Sequence, residues 1–158
     1  MTSETPATKP APASGDLQID PRGPRFGAAI TLVLAIAALV VGANIIGVVI
    51  MAVLALLFVP GAVVGPQATV QAALFKRFVR PKLAAPTETE SFRAPRFAQQ
   101  VGLAFSILAV VFGALGSGVG FFIFAGFVAV ASFLNSVFNF CLGCEIYLLT
   151  KRLSTRNA

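Results

Sequence analysis

The sequence predicts an all-α membrane protein of four transmembrane helices, built as two tandem helical hairpins of the same orientation. Three observations carry this prediction. Of 158 residues, 57% are hydrophobic and 11% charged, with a mean hydropathy of +0.88. A water-soluble domain carries charge on roughly a quarter of its residues. No charged residue occurs from Phe26 to Phe75, and none from Phe97 to Cys144. One crossing takes about 20 residues, so each run holds two crossings and must fold back on itself. Finally, the two halves read as copies. Arg22-Gly-Pro-Arg-Phe26 and Arg93-Ala-Pro-Arg-Phe97 share one offset of 71 residues, which also places Gly42 on Gly113 and Gly47 on Gly118. Three matches in one register mark an internal repeat.

Taken in order, residues 1–19 are rich in Pro, Ala, Ser and Thr and carry no apolar period. Such a segment buries too little surface to offset its ordering entropy and is expected to be a disordered tail. It lacks the basic start, short apolar core and cleavage site of a signal peptide. The membrane domain then covers residues 20–158, with repeat 1 over about 22–83 and repeat 2 over about 93–153. The crossings are predicted at 26–42, 46–64, 97–113 and 119–140, with reversals at the glycine-rich GANIIG and GALGSG. After Pro66, the stretch QATVQAALFKRFVRPKL opens with Gln67 and Gln71 and is predicted to lie along the cytoplasmic interface. Copies that each hold two crossings have the same orientation, related by a pseudo-two-fold axis along the membrane normal.

Charge sets the orientation. All 12 Lys and Arg residues lie before the first run, between the two runs, or after the second. The positive-inside rule therefore places both termini and the central loop in the cytoplasm. The net charge of +6 does not indicate nucleic acid, because the basic residues flank apolar runs and form no continuous patch. The chain has no His, which removes the usual general base and the commonest metal ligand. Two thiols and one carboxylate fall short of a four-ligand zinc site, so neither a metal nor a cofactor is expected.

Three groups of residues are candidates for function. Arg22, Arg25, Arg93 and Arg96 flank the prolines that open each repeat, and either anchor the helix ends among anionic headgroups or hold an anionic partner. Ala125, Ala129, Ser132, Asn135, Ser136 and Asn139 form a small and polar stripe on the fourth helix. Helix packing accounts for that stripe, and a polar permeation path is the sharper alternative. Third, Cys141-Leu-Gly-Cys144-Glu145 holds the only two cysteines, three residues apart, in one repeat only. On a continuous helix their Cα atoms are about 5 Å apart, compatible with a disulfide. A cytosolic pair is expected to rest as the dithiol. Placed late in the fourth helix, the thiols face an unfavourable dipole, and Glu145 adds to it, unless Gly143 kinks the helix. Inert apolar filling is the plain alternative to a thiol function.

The DPRGPRF opening, the APRFAQ segment and the FCLGCEIYLL ending together resemble the DUF4395 family of bacterial, actinobacterial-type integral membrane proteins. The resemblance covers roughly residues 19 to 153. Carried over by position, the family's C-x-G-C-E falls on Cys141, Gly143, Cys144 and Glu145, and its paired arginines on Arg22, Arg25, Arg93 and Arg96. The resemblance implies a multi-pass protein of the bacterial cytoplasmic membrane. It further implies the company of thioredoxin-like and sulfurtransferase proteins, and so a role in thiol redox or sulfur handling.

The reading that follows is a membrane protein whose C-x-x-C exchanges thiol, disulfide or sulfane sulfur with a soluble cytoplasmic partner. Membrane lipid is the other expected partner, and self-association is left open. A channel or carrier subunit for a small sulfur compound, and a scaffold without chemistry, are its rivals.

Overall fold

The structure is a computed structural model that describes residues 17–157. Most of the expected tail, residues 1–16, lies outside the described residues, whereas Gln18–Ile19 forms a short strand, β1. Helix α1 (Arg22–Val41) carries Pro24 in its first turn, where a missing N–H breaks no intrahelical bond. It ends at Gly42, whose φ of +87° favours glycine. Asn44 then caps helix α2 (Ile45–Val63), its side chain accepting from the N–H groups of Ile46 and Gly47.

The amphipathic stretch after Pro66 is not one helix. A 3-10 turn at Pro66–Ala68 leads to Thr69, which caps the short helix α3 (Val70–Leu74) by accepting from the Ala72 N–H. A π-helical turn at Phe75–Val79 and a 3-10 turn at Arg80–Lys82 follow. Prolines at positions 66 and 81 account for the two 3-10 turns. Strand β2 (Glu90–Ser91) precedes α4 (Arg93–Ala114), the turn through Gly116 leads to α5 (Gly118–Phe138), and α6 (Leu142–Arg156) closes the described chain. The fourth predicted crossing therefore ends two residues early, and the segment after it is a separate helix.

Helices α1, α2, α4 and α5 are each long and apolar enough to cross a membrane. The most extensive packing joins α2 to α4 and α1 to α5, with α4 on α5 and α1 on α2 next. The shared core is Ala35, Ala38, Met51, Leu54, Phe58, Ala109, Phe121, Ala125, Val128 and Ala129. Half of these are alanines. Lipid is as apolar as leucine, so such helices associate by close packing, and small residues allow it. A Cβ on Gly102 would lie 2.8 Å from the Phe58 ring, and one on Gly61 would meet the Gln99 side chain at 2.7 Å. The large side chains Val40, Leu56, Phe127 and Val130 point outward, as a lipid-facing surface requires.

At the end of the bundle that carries the basic residues, β1 pairs antiparallel with β2, Gln18 opposite Ser91 and Ile19 opposite Glu90. Asp20 accepts from Arg22 through both carboxylate oxygens, at 2.8–3.2 Å. Arg22 also donates to the Ala84 carbonyl at 3.0 Å, which ties the central loop to the start of α1. The Arg22 hydrogen bond holds the Asp20 carboxyl below the usual carboxylate range, against a smaller opposing effect of burial.

Candidate functional site

The cysteine site is built by a helix break. Asn139 takes the left-handed conformation, φ +54°, and its N–H and that of Phe140 both bond the Leu134 carbonyl. Asparagine tolerates this conformation better than other side chains do, and it is a recognised helix terminator. The chain then extends through Cys141, which caps α6. Cys141 Sγ accepts from the Cys144 N–H at 3.4 Å, and the Glu145 N–H bonds the Cys141 carbonyl at 3.0 Å. Cys141 and Cys144 are joined as a disulfide, with Cα atoms 5.1 Å apart.

One expectation is corrected here. Cys141 does not sit late in a helix; it stands at the N-terminus of the next one. That end of a helix presents unpaired N–H groups and the positive end of the dipole, so it stabilises a negative charge on sulfur. Glu145 lies in the first turn of α6, where its own charge suits the dipole, and it is exposed to solvent.

The break also explains Gly143. The first turn of α6 docks on the start of α4 so closely that a Cβ on Gly143 would lie 2.7 Å from both Cα and Cβ of Ala98. One turn on, Tyr147 packs on Phe97 with ring centroids 5.8 Å apart. These two rings, with Thr150, Lys151 and Ser154, line a cleft of about 380 Å³. Both cysteines are half-buried. Among the described residues, no group of three or more His, Cys, Asp or Glu side chains could hold a metal ion.

The sequence matches the family described as Domain of unknown function (DUF4395) over residues 19–152. The chain belongs to the DUF4395 family. No curated protein and no solved structure is similar enough to be compared with it.

The four arginines of this DUF4395 chain have different surroundings. Arg22 serves Asp20 and Ala84. Arg25 donates to the Ser136 carbonyl in the last turn of α5 at 3.4 Å, and Arg96 to the Ala62 carbonyl at the end of α2 at 3.2 Å. Gln100 joins Arg96 on that carbonyl at 3.1 Å. Cations at helix C-termini oppose the negative end of the dipole. Arg93 is exposed at the start of α4.

The stripe on α5 divides in two. Ala125, Ala129 and Ser132 are buried, Asn135 and Ser136 half-buried, and Asn139 is an exposed helix terminator outside the helix. Sequence reading missed Ala98, Phe97 and Tyr147 as the seat of the Cys141–Cys144 turn. Gly143 was the available signal, because backbone without a Cβ permits close approach.

Proposed function

We propose that Cys141 and Cys144 form a thiol–disulfide exchange centre that faces the cytoplasm and works with a soluble thioredoxin-like or sulfurtransferase partner. The observation that carries this reading is the position of Cys141 at the N-cap of α6, bonded by the Cys144 N–H and paired with Cys144. In the reduced form, Cys141 is the sulfur whose thiolate the helix end stabilises, so it is the nucleophile. Its thiolate attacks a partner disulfide, forming a mixed disulfide and releasing one partner thiolate, which takes up a proton. Cys144 then loses its proton and attacks Cys141 Sγ, expelling the second partner thiolate. The partner gains two electrons and two protons, and the Cys141–Cys144 disulfide is restored. The same steps run in reverse with a partner dithiol of lower potential.

The cytoplasmic placement rests on charge. The basic residues gather at the starts of α1 and α4, in the loop between α2 and α4, and on α6, while the turns at 42–44 and 115–117 carry none. The tandem-repeat reading belongs to the same proposal and has three supports. Ile19 pairs with Glu90, which is its own counterpart at the 71-residue offset. Arg25 and Arg96, counterparts likewise, each reach the C-terminal turn of the second helix in the opposite half. Phe26 packs on Phe75 in a tilted pair at 5.9 Å, as Phe97 does on Tyr147.

Trapping tests the chemistry. Cys144→Ser retains the nucleophile and should accumulate a mixed disulfide with a partner, released by reductant. Cys141→Ser should accumulate far less. Equal capture by both variants, or by neither, would sink the assignment.

A further inference from the structure

We infer that α6 is an interfacial helix that lies on a bilayer surface bearing anionic headgroups and holds the Cys141–Cys144 pair at that depth. Leu142, Ile146, Leu149 and Leu153 recur at the helical period and fall within a sector of about 60°. They are 40%, 45%, 58% and 54% exposed, with no protein face over them. The side of α6 that the protein does cover is a different one: Gly143 rests on Ala98, and Tyr147 on Phe97. Leu148 is also exposed, off this stripe.

Two arguments name lipid as the occupant. The first is continuity. The stripe follows directly on Val137, Phe138 and Phe140, exposed apolar residues at the end of the membrane-length helix α5. Phe97 and Ala98, on which α6 rests, are in turn the first apolar pair after the Arg96 cation of α4. The helix is thus seated where a crossing begins, at headgroup level. The second is charge. Arg152 and Arg156 flank the stripe on the side that also holds Glu145, the one acid of α6, and Lys151 stands on the opposite face. Apolar residues on one face with cations beside them is the pattern of a helix lying in an anionic interface.

This inference rests on the membrane-spanning reading of the four long helices and not on cysteine chemistry, so it can fail without the exchange reading failing. The chain has no tryptophan, which makes a single introduced indole a clean probe. Leu149→Trp and Leu153→Trp place it on the stripe, and Thr155→Trp on the opposite side of the same helix. Each full-length variant is reconstituted into phosphatidylcholine–phosphatidylglycerol vesicles with brominated acyl chains. The stripe indoles should be quenched by the brominated lipid several-fold more than the Thr155→Trp indole, and by aqueous iodide several-fold less. Iodide quenching of both stripe indoles equal to that of Thr155→Trp would overturn the placement. Protection of both stripe indoles from iodide and from brominated lipid alike would also overturn it, because a second copy of the chain would then cover the stripe.

Discussion

A methyl group at position 143 would meet a backbone atom of α4 as well as the Ala98 side chain, both at 2.7 Å. A side chain can rotate away from such a contact; a helix backbone cannot. Gly143→Ala should therefore loosen α6 from α4 at a cost of about 1–3 kcal/mol, the usual range for overpacking. Hydrogen exchange of α6 amides should rise while that of α1 and α2 stays unchanged. At Asp20 the sign of the pH effect follows from its depressed pKa. A carboxylate held below its unfolded value of 3.8 contributes stability above that pH and loses it as the pH falls through the lower folded value. Amides of residues 83–92, tied down through Arg22 and Ala84, should lose protection, taken relative to their intrinsic exchange rates, in acid below pH 3.8. Asp20→Asn should show the lower protection already at neutral pH and no further loss in acid.

Among the elements, the contact between α2 and α4 depends on Gly102 accepting the Phe58 ring. Gly102→Ala should destabilise the fold by about 1–3 kcal/mol, and Phe58→Leu in the same chain should recover part of the loss, as read by unfolding in mixed micelles. The long helices were legible in sequence because lipid imposes a simple demand, an apolar run of fixed length between charges. The predicted 26–42, 46–64 and 97–113 fall within four residues of α1, α2 and α4 at every end. The end of α5 was not legible in the same way. Asn139 fits the small and polar stripe by period, and only its left-handed backbone reveals it as a terminator. The cap of α6 was equally hidden, since its side chain is a cysteine and not one of the oxygen-bearing residues that mark helix starts. Reading the break as continuous helix reversed the electrostatics of the cysteine site, because a helix end changes sign across it.

At the scale of the whole molecule, the orientation can be checked in intact cells. In a Cys141→Ser, Cys144→Ser background, cysteines introduced at Asn44 and Ser117 should be labelled from outside by an impermeant thiol reagent. Cysteines at Ala85 and Asn157 should be labelled only after the membrane is opened. The opposite pattern would place Cys141 and Cys144 at the outer face.

The packing across the two halves bears on how the chain is made. Helix α2, which buries Met51, Leu54 and Phe58, has α4 as its main neighbour, and α4 begins 30 residues after α2 ends. During synthesis α1 and α2 must enter the bilayer and wait with the inward face of α2 unfilled. In water such a face would drive aggregation. In hydrocarbon it costs little, because acyl chains solvate methionine, leucine and phenylalanine nearly as well as a protein core does. A division of the core that would endanger a soluble protein at the ribosome is thus tolerable for one that is born into lipid.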